Sequence, residues 1–326
     1  MKSSIATFAL IVVFVLAGCW QQQAPSAGRS LSAPVKRSPW TSSQSGGEIL
    51  TTANYRIYTT SRTRHITQIL PPFMEAAHKH YLELTGLTDR PVGERMPIYM
   101  MSSRQEWISL SEQVFGERQQ PFHAIQAGGY CYKGICVFWD LGGIQTFSVA
   151  SHEGLHQFFF HRLKSPLPLW LEEGLCTAAE GHELDGTRVR FTPERNNSRF
   201  TGLRDTILHE RWMTITELLP LGGGDVAVQG TECAIGYYSQ LWALALFLRS
   251  HPTYRVGMER LMADAEAGRF AQTLNLPPAL ARIRHRNNLY NRSLAEPLFR
   301  RYITDDLAAF DAEYLAFAKK LADLQF

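Results

Sequence analysis

Ser151-His152-Glu153-Gly154-Leu155-His156-Gln157 lies inside a longer segment, Thr146 to Gly181, whose first part carries Phe147, Val149, Ala150, Leu155, Phe159 and Phe160. That first part reads as a buried helix that Thr146 or Ser148 can begin. Residues four apart share a helix face, so His152 and His156 point to one place and can bind one metal ion. Glu153 stands beside them, placed to act as a general base. Zinc suits two imidazoles, a carboxylate and one position left for water. The bare H-E-x-x-H pattern also arises by chance, so a third ligand has to be found nearby.

Leu167-Pro168-Leu169-Trp170-Leu171-Glu172-Glu173-Gly174-Leu175 supplies two candidates. Proline and tryptophan mark the entry to a second helix that can return a carboxylate to the metal. Glu172 and Glu173 are about 100° apart on a helix, so only one can face the ion. Glu180 follows Glu173 by two turns on the same face; it either orients a ligand histidine or is a solvated carboxylate at a helix end.

Upstream, Tyr55 to Thr59 alternates as a strand, and residues 62–84 carry helical spacing. Pro71-Pro72 should kink or split that helix, and Gly86 should cap it. Met96 to Met101 reads as a strand, and Ser102 or Ser103 begins a helix that Gly116 stops. Residues 124–139 read as a hairpin with a Lys133-Gly134 turn. The predicted fold is α+β: a small N-terminal mixed sheet with helices, then the metal-site helix, then a mostly helical C-terminal part.

The chain has 326 residues, 45 % of them hydrophobic, and a formal net charge of +3. That balance gives no case for nucleic acid as a partner. Lys2, the apolar run Ile5 to Leu16 and Leu16-Ala17-Gly18-Cys19 form a signal peptide whose ending resembles the lipobox of bacterial lipoproteins. That resemblance implies acylation of Cys19, membrane attachment only through the lipid, and a cell-envelope location. Trp20 in place of aspartate favours the outer membrane, facing the periplasm. Residues 20–48 are rich in Gln, Ser, Pro and Gly and read as a disordered tether. The expected divisions are therefore 1–18 signal, 19–48 tether, 49–250 metal-site domain and 251–326 a helical extension packed on it. Export also makes disulfides available to Cys131, Cys136, Cys176 and Cys233. Cys131 faces Cys136 across the hairpin, leaving Cys176 and Cys233 as the second pair, although three connectivities stay open.

H-E-x-x-H followed by P-x-W-L-x-E-G-L resembles the gluzincin metallopeptidases, specifically the peptidase MA-like domains of exported bacterial proteins. The resemblance implies a zincin-like fold, Zn²⁺ held by His152, His156 and Glu173, and Glu153 as the base. It places Ala127-Gly128-Gly129-Tyr130 on an edge strand that holds the substrate backbone, although Gly128-Gly129 is equally readable as a bulge. Tyr237-Tyr238-Ser239-Gln240-Leu241-Trp242-Ala243-Leu244 resembles a following helix, where Tyr238, or else Tyr237, stabilises an oxyanion. The implied activity is metal-assisted hydrolysis of a peptide or protein. Two other readings stay open: a non-catalytic binding or scaffold lipoprotein on a peptidase-like fold, and a zinc amidohydrolase for a non-peptide or cell-wall amide.

Overall fold

The computed structural model describes residues 28–41, 46–91, 93–115, 125, 128–282 and 288–323. The signal segment, Cys19, Gly116 and Ala127 lie outside them.

Among the described residues nine strands form two sheets. β1 (Arg29–Ser30) joins β8 (His182–Asp185) and β9 (Arg188–Phe191) in the order β1-β9-β8. The larger sheet holds β2 (Lys36–Trp40), β3 (Gly47–Thr51), β4 (Tyr55–Thr59), β5 (Met96–Met101), β6 (Gly129–Tyr132) and β7 (Ile135–Trp139), in the order β2-β3-β4-β5-β7-β6. β4, β5 and β7 run parallel and the other pairings are antiparallel. Helix α1 (Arg64–Thr85) crosses from β4 to β5, and α2 (Arg104–Phe115) follows β5. Then come α3 (Gly143–Arg162), α4 (Leu169–Ala179), α5 (Asn197–Leu208), α6 (Ile215–Leu218), α7 (Gly223–Ala227) and α8 (Thr231–Ser250). α9 (Pro252–Ala267), α10 (Phe270–Thr273), α11 (Pro278–Ala281), α12 (Asn288–Tyr302) and α13 (Leu307–Leu321) complete the described chain. The protein is α+β.

Alternation in the central strands separates two cores. Ile98, Met100, Cys136 and Phe138 face α1 and α3 in the main core. Met101, Val137 and Trp139 face Trp107 of α2 on the other side. The Lys133-Gly134 turn has positive φ at both residues, 49° and 75°, the geometry that closes a two-residue hairpin. Cys131 pairs with Cys136 in its register.

Two expectations change. α1 runs unbroken through Pro71 and Pro72, both buried. Pro71 has no N–H to give Thr67, and the Arg37 guanidinium donates to that carbonyl instead, at 3.1 Å. Arg37 belongs to the stretch whose composition reads as a disordered tether. Residues 29–30 and 36–40 instead form β1 and β2, so paired strands already lie within that stretch, ahead of residue 49. A strand added to an existing edge needs little apolar area of its own, because backbone pairing and arginine contacts hold it. Arg29 likewise donates to the Ala76 carbonyl at 3.1 Å and pairs with Glu83 on α1.

The C-terminal helices share the main core: Leu298, Phe299, Phe310 and Tyr314 pack in one cluster with Leu241 and Trp242 of α8. Among the described residues no helix is long and apolar enough to cross a membrane.

Candidate metal centre

α3 begins at Gly143, three residues before Thr146, whose side chain instead ties the first turn. Its hydroxyl accepts from Leu141 N–H at 3.0 Å and donates to Asp140 at 3.2 Å. The helix is clamped along its buried side. Tyr81 donates to the Ser151 carbonyl at 2.9 Å, and Ser151 donates to the Ala179 carbonyl at 2.8 Å. Gly154 admits this approach, because a Cβ there would stand 2.5 Å from the Tyr81 hydroxyl. α4 is seated by α12: Asn291 accepts from Leu169 N–H at 2.8 Å, and Trp170 donates to the Ala295 carbonyl at 3.2 Å. Gly174 serves the same purpose on the opposite side, since a Cβ would lie 2.7 Å from the Leu241 carbonyl oxygen of α8.

These two helices bring His152, His156 and Glu173 together. The Nε2 atoms of the histidines are 3.3 Å apart, and each is 3.6 Å from Glu173 Oε2. Ligands about 2.05 Å from a tetrahedral ion are separated by about 3.3 Å, so the three donor atoms lie near the spacing of ligands on one metal ion. The other nitrogen of each ring is held by a carboxylate. His156 Nδ1 meets Glu172 at 2.7 Å, and His152 Nδ1 meets Glu180 at 2.8 Å. With Nδ1 donating, Nε2 keeps the lone pair that would face a bound ion. The adjacent glutamates thus divide as helical geometry requires, Glu173 into the cluster and Glu172 behind His156.

Glu180 is further held by residues that sequence reasoning missed. Arg199 donates to both its oxygens, from Nε at 2.9 Å and from a terminal nitrogen at 2.7 Å, and Asn196 donates at 2.8 Å. Asn196 also caps α5, and that capping pattern was the one signal available. Despite burial, the imidazole of His152 and the guanidinium of Arg199 hold the Glu180 carboxyl down at about 2. Burial acts against charge on His152, but the hydrogen bonds to Glu173 and Glu180 outweigh it and raise its pKa to about 9.

Glu153 is 8 % exposed, and burial pushes its carboxyl above the usual range while the two imidazoles pull it down. β6, the edge strand of the sheet, runs beside it. A Cβ on Gly129 would stand 3.2 Å from Glu153 Cγ and 2.8 Å from Phe138 Cβ, and Gly128 has φ +147°. The Tyr130 side chain points the other way, to Ser111 at 3.0 Å, so only its backbone belongs to this edge. Tyr237 is fully buried and donates to the Leu221 carbonyl at 3.0 Å, which leaves Tyr238 as the tyrosine near the site. The Glu173 carboxylate, then burial, raises the Tyr238 pKa, and the Arg199 guanidinium lies 5.5 Å from its ring centre. Gly223, at the start of α7, is where the Tyr238 hydroxyl packs. His161, His182 and His209 each bond a backbone carbonyl outside the cluster.

All four described cysteines are free thiols. Cys136 donates to the Glu153 carbonyl at 3.0 Å. Cys176 does not pair with Cys233; it faces inward from α4 onto His156, and Cys233, in the first turn of α8, donates to Gln229 just ahead of that helix.

No family model matches the chain, and no curated protein and no solved structure matches it.

Proposed function

We propose that this protein is a zinc-dependent peptidase of the gluzincin type. The observation that carries the reading is the pairing of a three-donor cluster at tetrahedral spacing with a buried carboxylate, Glu153, that the cluster does not use. A purely structural metal site has no need of that carboxylate. His152, His156 and Glu173 would hold the ion, with Glu180 and Glu172 fixing the two rings. The chemistry that zinc supplies in such a site is acidification of a water molecule and polarisation of a carbonyl.

Glu153 takes the proton of the attacking water and passes it to the leaving amine, a role its raised pKa suits. Tyr238 keeps its proton through neutral pH and donates to the developing oxyanion. The edge of β6, with glycine at 128 and 129, receives the substrate backbone as an added strand. The N-terminal signal and Cys19 support a lipid-anchored location in the cell envelope.

The test is metal analysis of the wild type beside His156→Ala, followed by peptide-library cleavage with and without chelator. Stoichiometric zinc lost in the variant, with chelator-sensitive cleavage abolished by Glu153→Ala, supports the reading. A metal-free wild type, or cleavage indifferent to Glu153→Ala, overturns it.

A further inference from the structure

Across the β6–β7 hairpin, Cys131 stands directly opposite Cys136. The two-residue turn makes Tyr132 and Ile135 the hydrogen-bonded pair. The cysteines are therefore the next pair, with no backbone bonds between them, where side chains come closest. Both side chains lie on the main-core face of the hairpin, and the Cys131 thiol is a hydrogen-bonding neighbour of Cys136.

The two thiols differ in access. Cys131 is half-buried and lines the open cleft that runs beside His156, whereas Cys136 is fully buried. Burial holds the Cys136 thiol well above its usual range, so it stays protonated and donates to the Glu153 carbonyl at 3.0 Å. One turn further along α3, Gln157 donates to the Gly134 carbonyl at 2.7 Å and to the Pro97 carbonyl at 2.6 Å. Cys136 and Gln157 thus fasten the sheet to the turn of α3 that carries His152, Glu153 and His156.

We propose that Cys131 and Cys136 are a redox-active pair that closes to a cross-strand disulfide and, in closing, unfastens α3 at Glu153. The step is exchange with an external disulfide, of the kind an oxidising compartment supplies. The Cys131 thiolate attacks the external disulfide and releases one thiol. The Cys136 sulfur then attacks Cys131 in the mixed disulfide and releases the second. The pair gives up two electrons and two protons, and the external disulfide takes up both. Cys136 is left with no S–H to donate, and its sulfur faces the Glu153 carbonyl oxygen as one acceptor against another. Gln157 keeps the helix docked, so oxidation loosens one turn without detaching α3. The consequence for the metal centre rests on the proposed function; the pair itself does not, and its test needs neither metal nor cleavage.

The full chain is poised in mixtures of oxidised and reduced glutathione, and each state is read by peptide mass mapping and by amide hydrogen exchange. Oxidation of the wild type should remove two hydrogens from the segment that holds Cys131 and Cys136. The hairpin, 129–138, should then exchange more slowly, while α3 between 152 and 159 exchanges about fivefold faster, the net worth of one hydrogen bond. Under reducing conditions Cys136→Ala should show the same faster exchange in α3. Cys136→Ser, whose hydroxyl restores the donor, should return it to the slow rate. No disulfide at any glutathione ratio overturns the pair. A disulfide that slows α3 together with the hairpin, or Cys136→Ala exchange equal to that of the reduced wild type, makes the bridge a plain brace and overturns the coupling to Glu153.

Discussion

Replacing Arg199 with methionine removes both guanidinium bonds to Glu180 and the cation over the Tyr238 ring, while leaving every proposed zinc ligand in place. Arg199 and Glu180 side chains are only 20 % and 12 % exposed, so the carboxylate left behind is a buried charge short of a partner. Breaking such a pair costs about 3 kcal/mol of stability. Glu180 keeps His152 and Asn196, so the imidazole is still held, but less rigidly and by a carboxylate whose pKa climbs from about 2. Loss of an outer partner of a metal-binding histidine weakens metal affinity by about 10–100-fold. Because the bond to Nδ1 survives, the lower end applies, about tenfold or ~1.4 kcal/mol. The assay is zinc competition against a chromophoric chelator, alongside thermal melting. A second change, Glu180→Gln, removes the stranded charge and should restore most of the melting temperature without restoring zinc affinity. Wild-type zinc affinity in well-folded Arg199→Met protein would refute the chain of contacts from Arg199 through Glu180 to His152.

Further outcomes follow from other contacts. In the metal-free protein the folded pKa of His152, about 9, lies above its ordinary 6.5, so its stability contribution is complete below pH 6.5 and lost as pH rises through 9. Zinc must displace that proton, so the gap in melting temperature between zinc-loaded and metal-free protein should widen from pH 6.5 to 9; a constant gap contradicts it. Arg37→Ala leaves the Thr67 carbonyl without its donor and should cost about 1 kcal/mol, read as a lower urea midpoint with unchanged slope. Gly174→Ala presses a methyl against the Leu241 carbonyl oxygen and should cost about 1–3 kcal/mol while lowering zinc occupancy, because α4 carries Glu173; unchanged stability and occupancy would show that α4 and α8 separate freely.

The parts of the structure legible in the sequence are those governed by short-range repeats. Four-residue spacing placed His152 and His156 on one face, and Pro168-Trp170 announced the helix that carries Glu173. The two-residue Lys133-Gly134 turn fixed the Cys131–Cys136 register. What stayed hidden depends on contacts between distant segments. Nothing near Arg199 in the chain indicates that it meets Glu180, and nothing near Glu172 separates a ring-orienting carboxylate from a solvated one. Pro71 reads as a break because its missing partner, Arg37, lies 34 residues away in a stretch too polar to suggest a strand. The same locality misleads for Cys176, where an even cysteine count suggested a bridge and helix packing turned the thiol to His156.

The position of β1 also has a geometric consequence for the proposed lipid anchor. With a tether running to residue 48, the folded body would stand on a span of at most about 100 Å. Pinning Arg29 to α1 and β9 leaves nine residues between it and the proposed anchor at Cys19. Fully stretched, that is at most about 35 Å. A body of this size has a radius of gyration of about 19 Å. If Cys19 is lipidated, that span is comparable to the body itself, and the body would lie close to the bilayer.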